Sequence, residues 1–175
     1  HGWTRNLPNN NLVSGLKSDN LFEESYKFVL PGYNLRPLEL SGAIGQEQLK
    51  KLAEIVKYRR INAEKFVNIV NNYSWLIPQK EVGKSSWFGF SMVVRHDSGI
   101  SRERLIYSLE ACNIEYRPIV AGNFVKNPVI KYFNYEVHGE LKNANLLDYN
   151  GLFIGNHHYD LTKELDILNS ALKQI

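Results

Sequence analysis

A single cysteine among 175 residues excludes an internal disulfide, so a reducing compartment such as the cytoplasm is the expected setting. No apolar stretch approaches the ~20 residues that a membrane-spanning helix needs, and no secretory signal opens the sequence. Strong charge of one sign is missing too: 21 Lys and Arg against 18 Asp and Glu leave a net +3. The densest cationic run, Lys57-Tyr58-Arg59-Arg60, falls inside an amphipathic pattern and reads as a solvated helix face. Neither a membrane nor a nucleic acid is therefore expected as a partner. Self-contained catalytic signatures are also missing. There is no glycine-rich dinucleotide fingerprint, Walker-type phosphate loop, paired CxxC or nucleophile elbow, which argues against several common enzyme classes.

What remains is an ordinary globular composition, 43% hydrophobic, and a length that suits one domain with an arm. The opening His1-Gly2-Trp3-Thr4-Arg5 has no initiator Met and reads as the interior of a longer chain. Residues Asn6 to Ser18 are rich in Asn, Ser and Gly and suit an irregular arm. Residues 1–36 are thus expected to form extended arm and loops, with 37–175 as the folded domain. The most informative segment is Pro31-Gly32-Tyr33-Asn34-Leu35-Arg36-Pro37. Arg36 precedes a proline, which pushes its backbone toward extended conformations. Pro37 suits the first turn of a helix, where its missing N–H costs nothing. The segment therefore offers Asn34 and Arg36 beside a helix N-terminus, an arrangement suited to gripping an anion. An ordinary loop-to-helix junction would carry the same local pattern.

From Gln46 to Asn72 the residues Leu49, Leu52, Ala53, Val56, Ala63, Phe66, Val67 and Val70 follow helical spacing. Gly42 and Gly45 each cost a helix about 1 kcal/mol, and close approach of another backbone would offset this. Strands are expected over Trp75–Lys80, Ser86–Arg95, Ile114–Val120 and Gly151–Gly155. A helix is expected after the N-cap Ser101, short ones over Val129–Phe133 and Asn143–Tyr149, and a last helix from about Thr162. The order gives an α/β chain of the α+β kind: a small, mostly antiparallel sheet packed with helices, one of them long.

Several residues invite chemistry. His157 and His158 suggest a metal, but adjacent side chains on a strand point to opposite sides. One ring is expected to hydrogen-bond in the domain interface and the other to face solvent. Cys112 lies on an apolar stripe and reads as packed and unreactive. Trp87, Phe88 and Phe90 read as core. The block Arg117-Pro118-Ile119-Val120-Ala121-Gly122-Asn123-Phe124 is expected to expose a guanidinium, an amide and a ring, a set that can hold a phosphate or a sugar hydroxyl. Structural pairing of Arg117 with Glu115 or another acid is the alternative.

Together, His1–Arg5, Pro31–Ala43, Ser86–Phe90, Arg117–Phe124 and Gly151–His158 resemble the C-terminal part of the nucleotide-sugar aminotransferase and dehydratase family, the DegT/DnrJ/EryC1/StrS group. The Arg117–Phe124 and Gly155-Asn156-His157 blocks favour its dehydratase branch. The resemblance implies a fold-type-I aminotransferase small domain, pyridoxal or pyridoxamine phosphate as cofactor, a nucleotide-sugar substrate, a homodimer, and a place in bacterial lipopolysaccharide O-antigen deoxysugar synthesis. It implies that Asn34 and Arg36 reach a neighbouring subunit's cofactor, and that Arg5, Tyr26, Arg36, Arg117 and Asn123 contact substrate. Tyr26 stands where the dehydratase branch has Phe. The cofactor-binding domain, with its catalytic Lys or His, would lie upstream, so this chain alone is expected to be inactive. A sugar 4-aminotransferase of the perosamine-synthase type and a non-catalytic interaction domain are the alternatives.

Overall fold

The computed structural model describes residues 7–12, 15–19, 29 and 38–175. The chain divides into two compact units, His1–Lys50 and Lys51–Ile175. In the first, β1 (Asn10–Asn11) and β2 (Gly15–Leu16) form a minimal antiparallel hairpin. The Asn11 amide closes it by donating to the carbonyls of Pro8 and Gly15. Helix α1 (Glu39–Val70) crosses the boundary between the units without interruption. It runs through Gly42 and Gly45, and among the described residues nothing lies within 4 Å of either Cβ position. The close approach expected there is not supplied by those residues.

The second unit is built on a four-stranded sheet in the order β3-β4-β6-β5, every neighbour antiparallel. Its strands are β3 (Leu76–Pro78), β4 (Gly89–Val94), β5 (Tyr116–Arg117) and β6 (Gly151–Gly155). Alternation along β4 and β6 sends Phe90, Met92, Val94, Leu152 and Ile154 to one face, and all five are buried. The C-terminal part of α1, α2 (Arg102–Ala111) and α4 (Thr162–Leu172) supply the other half of that core through Phe66, Val70, Leu105, Leu109, Leu165 and Leu168. Only this end of the α1 stripe is buried; Leu49 and Leu52 are exposed. Phe66 stacks on Phe90 with ring centroids 4.6 Å apart, and buried Ser108 donates to the Ala171 carbonyl at 2.7 Å, joining α2 to α4.

On the opposite face lie Gly89, Ser91, Val93, Gly151 and Phe153. The short helix α3 (Lys142–Asn150) runs directly into β6, and Asn150 donates to the Val94 carbonyl. The face is crowded at one corner: a Cβ on Gly89 would lie 2.8 Å from the Phe153 ring and 3.0 Å from the Ile154 carbonyl. β5 is shorter than the Ile114–Val120 expected, because it pairs with only Phe153 and Ile154 before Pro118 and a left-handed Val120 turn the chain away. Two 3-10 segments, Phe124–Lys126 and Pro128–Tyr132, follow. The expected α+β arrangement, a small antiparallel sheet packed with helices and one long helix, is the one found. No helix among the described residues is long and apolar enough to cross a membrane.

Candidate functional site

Asn34, Arg36, Arg5 and Tyr26 lie outside the described residues; Arg117 and Asn123 lie within them. Arg117 ends β5, held in register opposite Phe153. Its guanidinium donates to Glu115 Oε1, from Nη2 at 2.7 Å and Nε at 3.3 Å, and this bond, then the Glu115 charge, raises its pKa. Both partners are well exposed, so solvent and salt screen the pair and it holds the side chain only weakly. It parks the guanidinium at the surface, where a more highly charged anion can compete for it.

The chain after Arg117 makes a tight turn. Val120 has φ 48° and Gly122 φ 55°, and the Gly122 N–H donates to the Ile119 carbonyl at 2.9 Å. A β-branched residue in this region is a genuine outlier, costing about 1–2 kcal/mol. Val120 is 88% exposed, so no packing among the described residues offsets that cost. Asn123 corrects an expectation: its amide is not presented to solvent but is 5% exposed. The side-chain oxygen accepts from Val125 N–H, and Nδ2 donates to Asn145 Oδ1 at 2.9 Å. A buried amide must spend its groups internally, and this one spends them on the turn. The ring of Phe124 is 48% exposed.

Asp148 of α3 fastens the same turn. Its Oδ1 accepts from the Asn123 N–H at 3.2 Å and its Oδ2 from Lys126 Nζ at 2.9 Å. The Lys126 bond first, then the Asn123 N–H, hold its carboxyl below the usual range against the opposing effect of burial. Lys126 also lies 3.6 Å from the centroid of the Tyr149 ring, a cation–π distance. The backbone of Asp148 is itself held, since Arg102 Nη1 donates to its carbonyl at 2.6 Å. A cation over the last carbonyls of a helix also suits the helix dipole.

A cleft of about 490 Å³ opens beside β5 and β6, lined among others by Arg59, Glu115, Arg117, His157, Tyr159 and Glu164. Arg59 Nε is buried there with no hydrogen-bond partner among the described residues. The lining segment 156–161 is held by two buried asparagines. Asn62 donates to the carbonyls of Tyr159 (2.7 Å) and His157 (3.2 Å), and its Oδ1 accepts from the Leu161 N–H at 3.1 Å. Asn156 donates to the carbonyls of Arg59 and Trp87. Both histidines are exposed, His157 packs on Tyr159 at 4.2 Å, and among the described residues it is the His157 backbone that is hydrogen-bonded. No metal-ligating cluster occurs among the described residues. Cys112 is half-buried at the end of α2. Trp87 and Phe90 are core, whereas Phe88 is 76% exposed.

Sequence reasoning missed Asn62, Arg102 and Asp148. Asn62 carried a usable signal, being a polar residue one helical turn from Phe66 on an apolar stripe. Nothing local marked Asp148, because its partners lie about 25 residues away.

The model of the DegT/DnrJ/EryC1/StrS aminotransferase family matches residues 10–167. The chain is 57% identical over 174 residues to a GDP-4-keto-6-deoxy-D-mannose 3-dehydratase of Escherichia coli O55:H7, covering 99% of this chain and 45% of that protein. It is 50% identical to a protein of the same description from Yersinia pseudotuberculosis, covering 99% and 44%. A solved structure of the E. coli dehydratase with bound hydrated PLP superposes with a TM-score of 0.91 at 57% identity, over 98% of this chain and 44% of that one. The chain thus spans less than half the length of the relatives it matches.

Proposed function

Because the chain belongs to the DegT/DnrJ/EryC1/StrS aminotransferase family, we propose that it is the C-terminal portion of a GDP-4-keto-6-deoxymannose 3-dehydratase. Such an enzyme would act in the cytoplasm in deoxysugar synthesis for a bacterial lipopolysaccharide O-antigen. The observation that carries this reading is identity above half, spread over nearly the whole chain, to a protein of that description. Site geometry supports it. Arg117 stands at the surface, its partner among the described residues being the exposed Glu115, ready for a diphosphate, and Phe124 offers a ring to a base or sugar. Arg5 and Tyr26 complete the substrate contacts, and Asn123 contributes by shaping the turn.

The cofactor would be pyridoxal or pyridoxamine phosphate. Asn34 and Arg36, an amide and a guanidinium, fit a phosphate ester by charge and hydrogen bonding; they would reach it in the neighbouring subunit of a homodimer. When bound, that cofactor supplies the electron sink the reaction needs. This chain's own residues bind and orient the nucleotide sugar. The groups that hold the cofactor ring and move its proton would come from the rest of the polypeptide, so the 175-residue chain alone is inactive. The test is to incubate the full-length protein with GDP-4-keto-6-deoxymannose and glutamate and to identify the sugar product. A 3-deoxy-4-keto sugar is expected. An amino sugar would replace this reading with a 4-aminotransferase of the perosamine-synthase type, and no sugar product at all would favour a non-catalytic interaction domain.

A further inference from the structure

We propose that Asp148 is a positioning residue for the substrate, holding the Arg117–Phe124 loop in a conformation the loop does not keep by itself. This rests on the reading that the loop faces the nucleotide sugar. The loop carries its own evidence of strain. Val120 is β-branched, left-handed and almost fully exposed, so neither its backbone preference nor its burial selects that turn. Strained backbone persists only where the surroundings over-determine it, and it clusters at functional sites.

One carboxylate supplies the over-determination. Asp148 accepts from the Asn123 N–H with one oxygen and binds Lys126 with the other, so it clasps both sides of the Phe124–Lys126 turn. Contact is close enough to dictate sequence: a Cβ on Gly122 would sit 2.3 Å from Asp148 Oδ1. The clasp is mounted on a held element, with α3 tied to the sheet through Asn150 and to α2 through Arg102. Those ties do not use the Asp148 carboxylate. Its removal should therefore release the loop without dismantling the domain. The other end of the loop is fixed separately, by the pairing of Arg117 with Phe153. Between these two anchors the protein presents a guanidinium and, just past the turn, an aromatic ring. Preorganisation of this kind shows in substrate binding more than in chemistry.

The experiment is steady-state kinetics of the full-length holoenzyme with the nucleotide sugar varied at saturating glutamate. D148A should raise KM about tenfold while kcat stays within about twofold. D148N, whose amide oxygen can still accept from Asn123, should recover part of the loss. K126M, which removes one arm of the clasp, should raise KM by about threefold, and it carries the test with D148N if D148A does not fold. R117A is the reference and should raise KM on its own. A normal KM in R117A would mean the loop does not face substrate, and both readings would fall. A raised KM in R117A with a normal KM in D148A and K126M would overturn the positioning role alone. So would a D148A enzyme that loses kcat at unchanged KM.

Discussion

Replacing Asn62 by Ala is the sharpest test of how the fold is held beside the cleft. The side chain is fully buried and joins α1 to the segment preceding α4, chiefly through three bonds of 2.7, 3.2 and 3.1 Å beside a longer one to Asn156 Oδ1 at 3.4 Å. Each bond is worth about 1 kcal/mol net, and leaving the buried Leu161 N–H without a partner adds about 1–3 kcal/mol. The expected loss is therefore about 4–6 kcal/mol, a large part of the ~5–15 kcal/mol that holds a typical domain together. Urea unfolding followed by far-ultraviolet circular dichroism should show the midpoint falling with the slope unchanged. The thermal midpoint should drop by roughly 10–20 °C. Asn62→Asp is a stringent companion, because a carboxylate accepts but cannot donate to the Tyr159 and His157 carbonyls. It should do no better than Ala. A loss below about 1 kcal/mol in N62A, or recovery in N62D, would show that water replaces these bonds and that the donor role is wrong.

Phe90→Ala removes a buried ring that stacks on Phe66; it should cost about 4 kcal/mol by the same unfolding assay, and a loss under about 2 kcal/mol would mean the core collapses around the gap. Acid should weaken the start of α4. Asp160 accepts from the Thr162 hydroxyl and from Lys65, in that order of effect, and its pKa falls from 3.8 to about 2. A depressed carboxylate contributes stability above its unfolded pKa and loses it as pH falls through the folded one. Stability should therefore decline between pH about 4 and about 2, and D160N should lose that part of the slope; an identical slope in D160N would refute the assignment.

Much of the fold was legible because short-range chemistry decided it. Gly151 and Gly155 bracket β6 as expected, and Ser101 caps α2 by accepting from the Arg104 N–H. Misreadings occurred where distant partners decide. Apolar content alone extends β5 to Val120, but the available partner ends at Phe153. Composition marks Phe88 as core like its neighbours, yet Trp87 at φ 53° rotates the chain before β4 begins. The amide of Asn123 looks like a turn group awaiting a ligand until Asn145 and Asp148 arrive from α3. The site divides in the same way. Arg117 was found through its block, whereas the residues that aim the block were not, because no local pattern announces a clasp made across such a separation.

The crowded corner of the outer sheet face also constrains how the sequence can drift. Gly89 and Phe153 are diagonal neighbours across β4 and β6, and the ring lies over the space a side chain at 89 would need. Phe153 can shrink while Gly89 stays. Gly89 cannot grow while Phe153 stays, and even after the ring is gone the Ile154 carbonyl at 3.0 Å still crowds any Cβ. Substitution at this corner therefore has an order and very nearly a direction: the aromatic is the free partner, and the glycine is the one the backbone itself keeps.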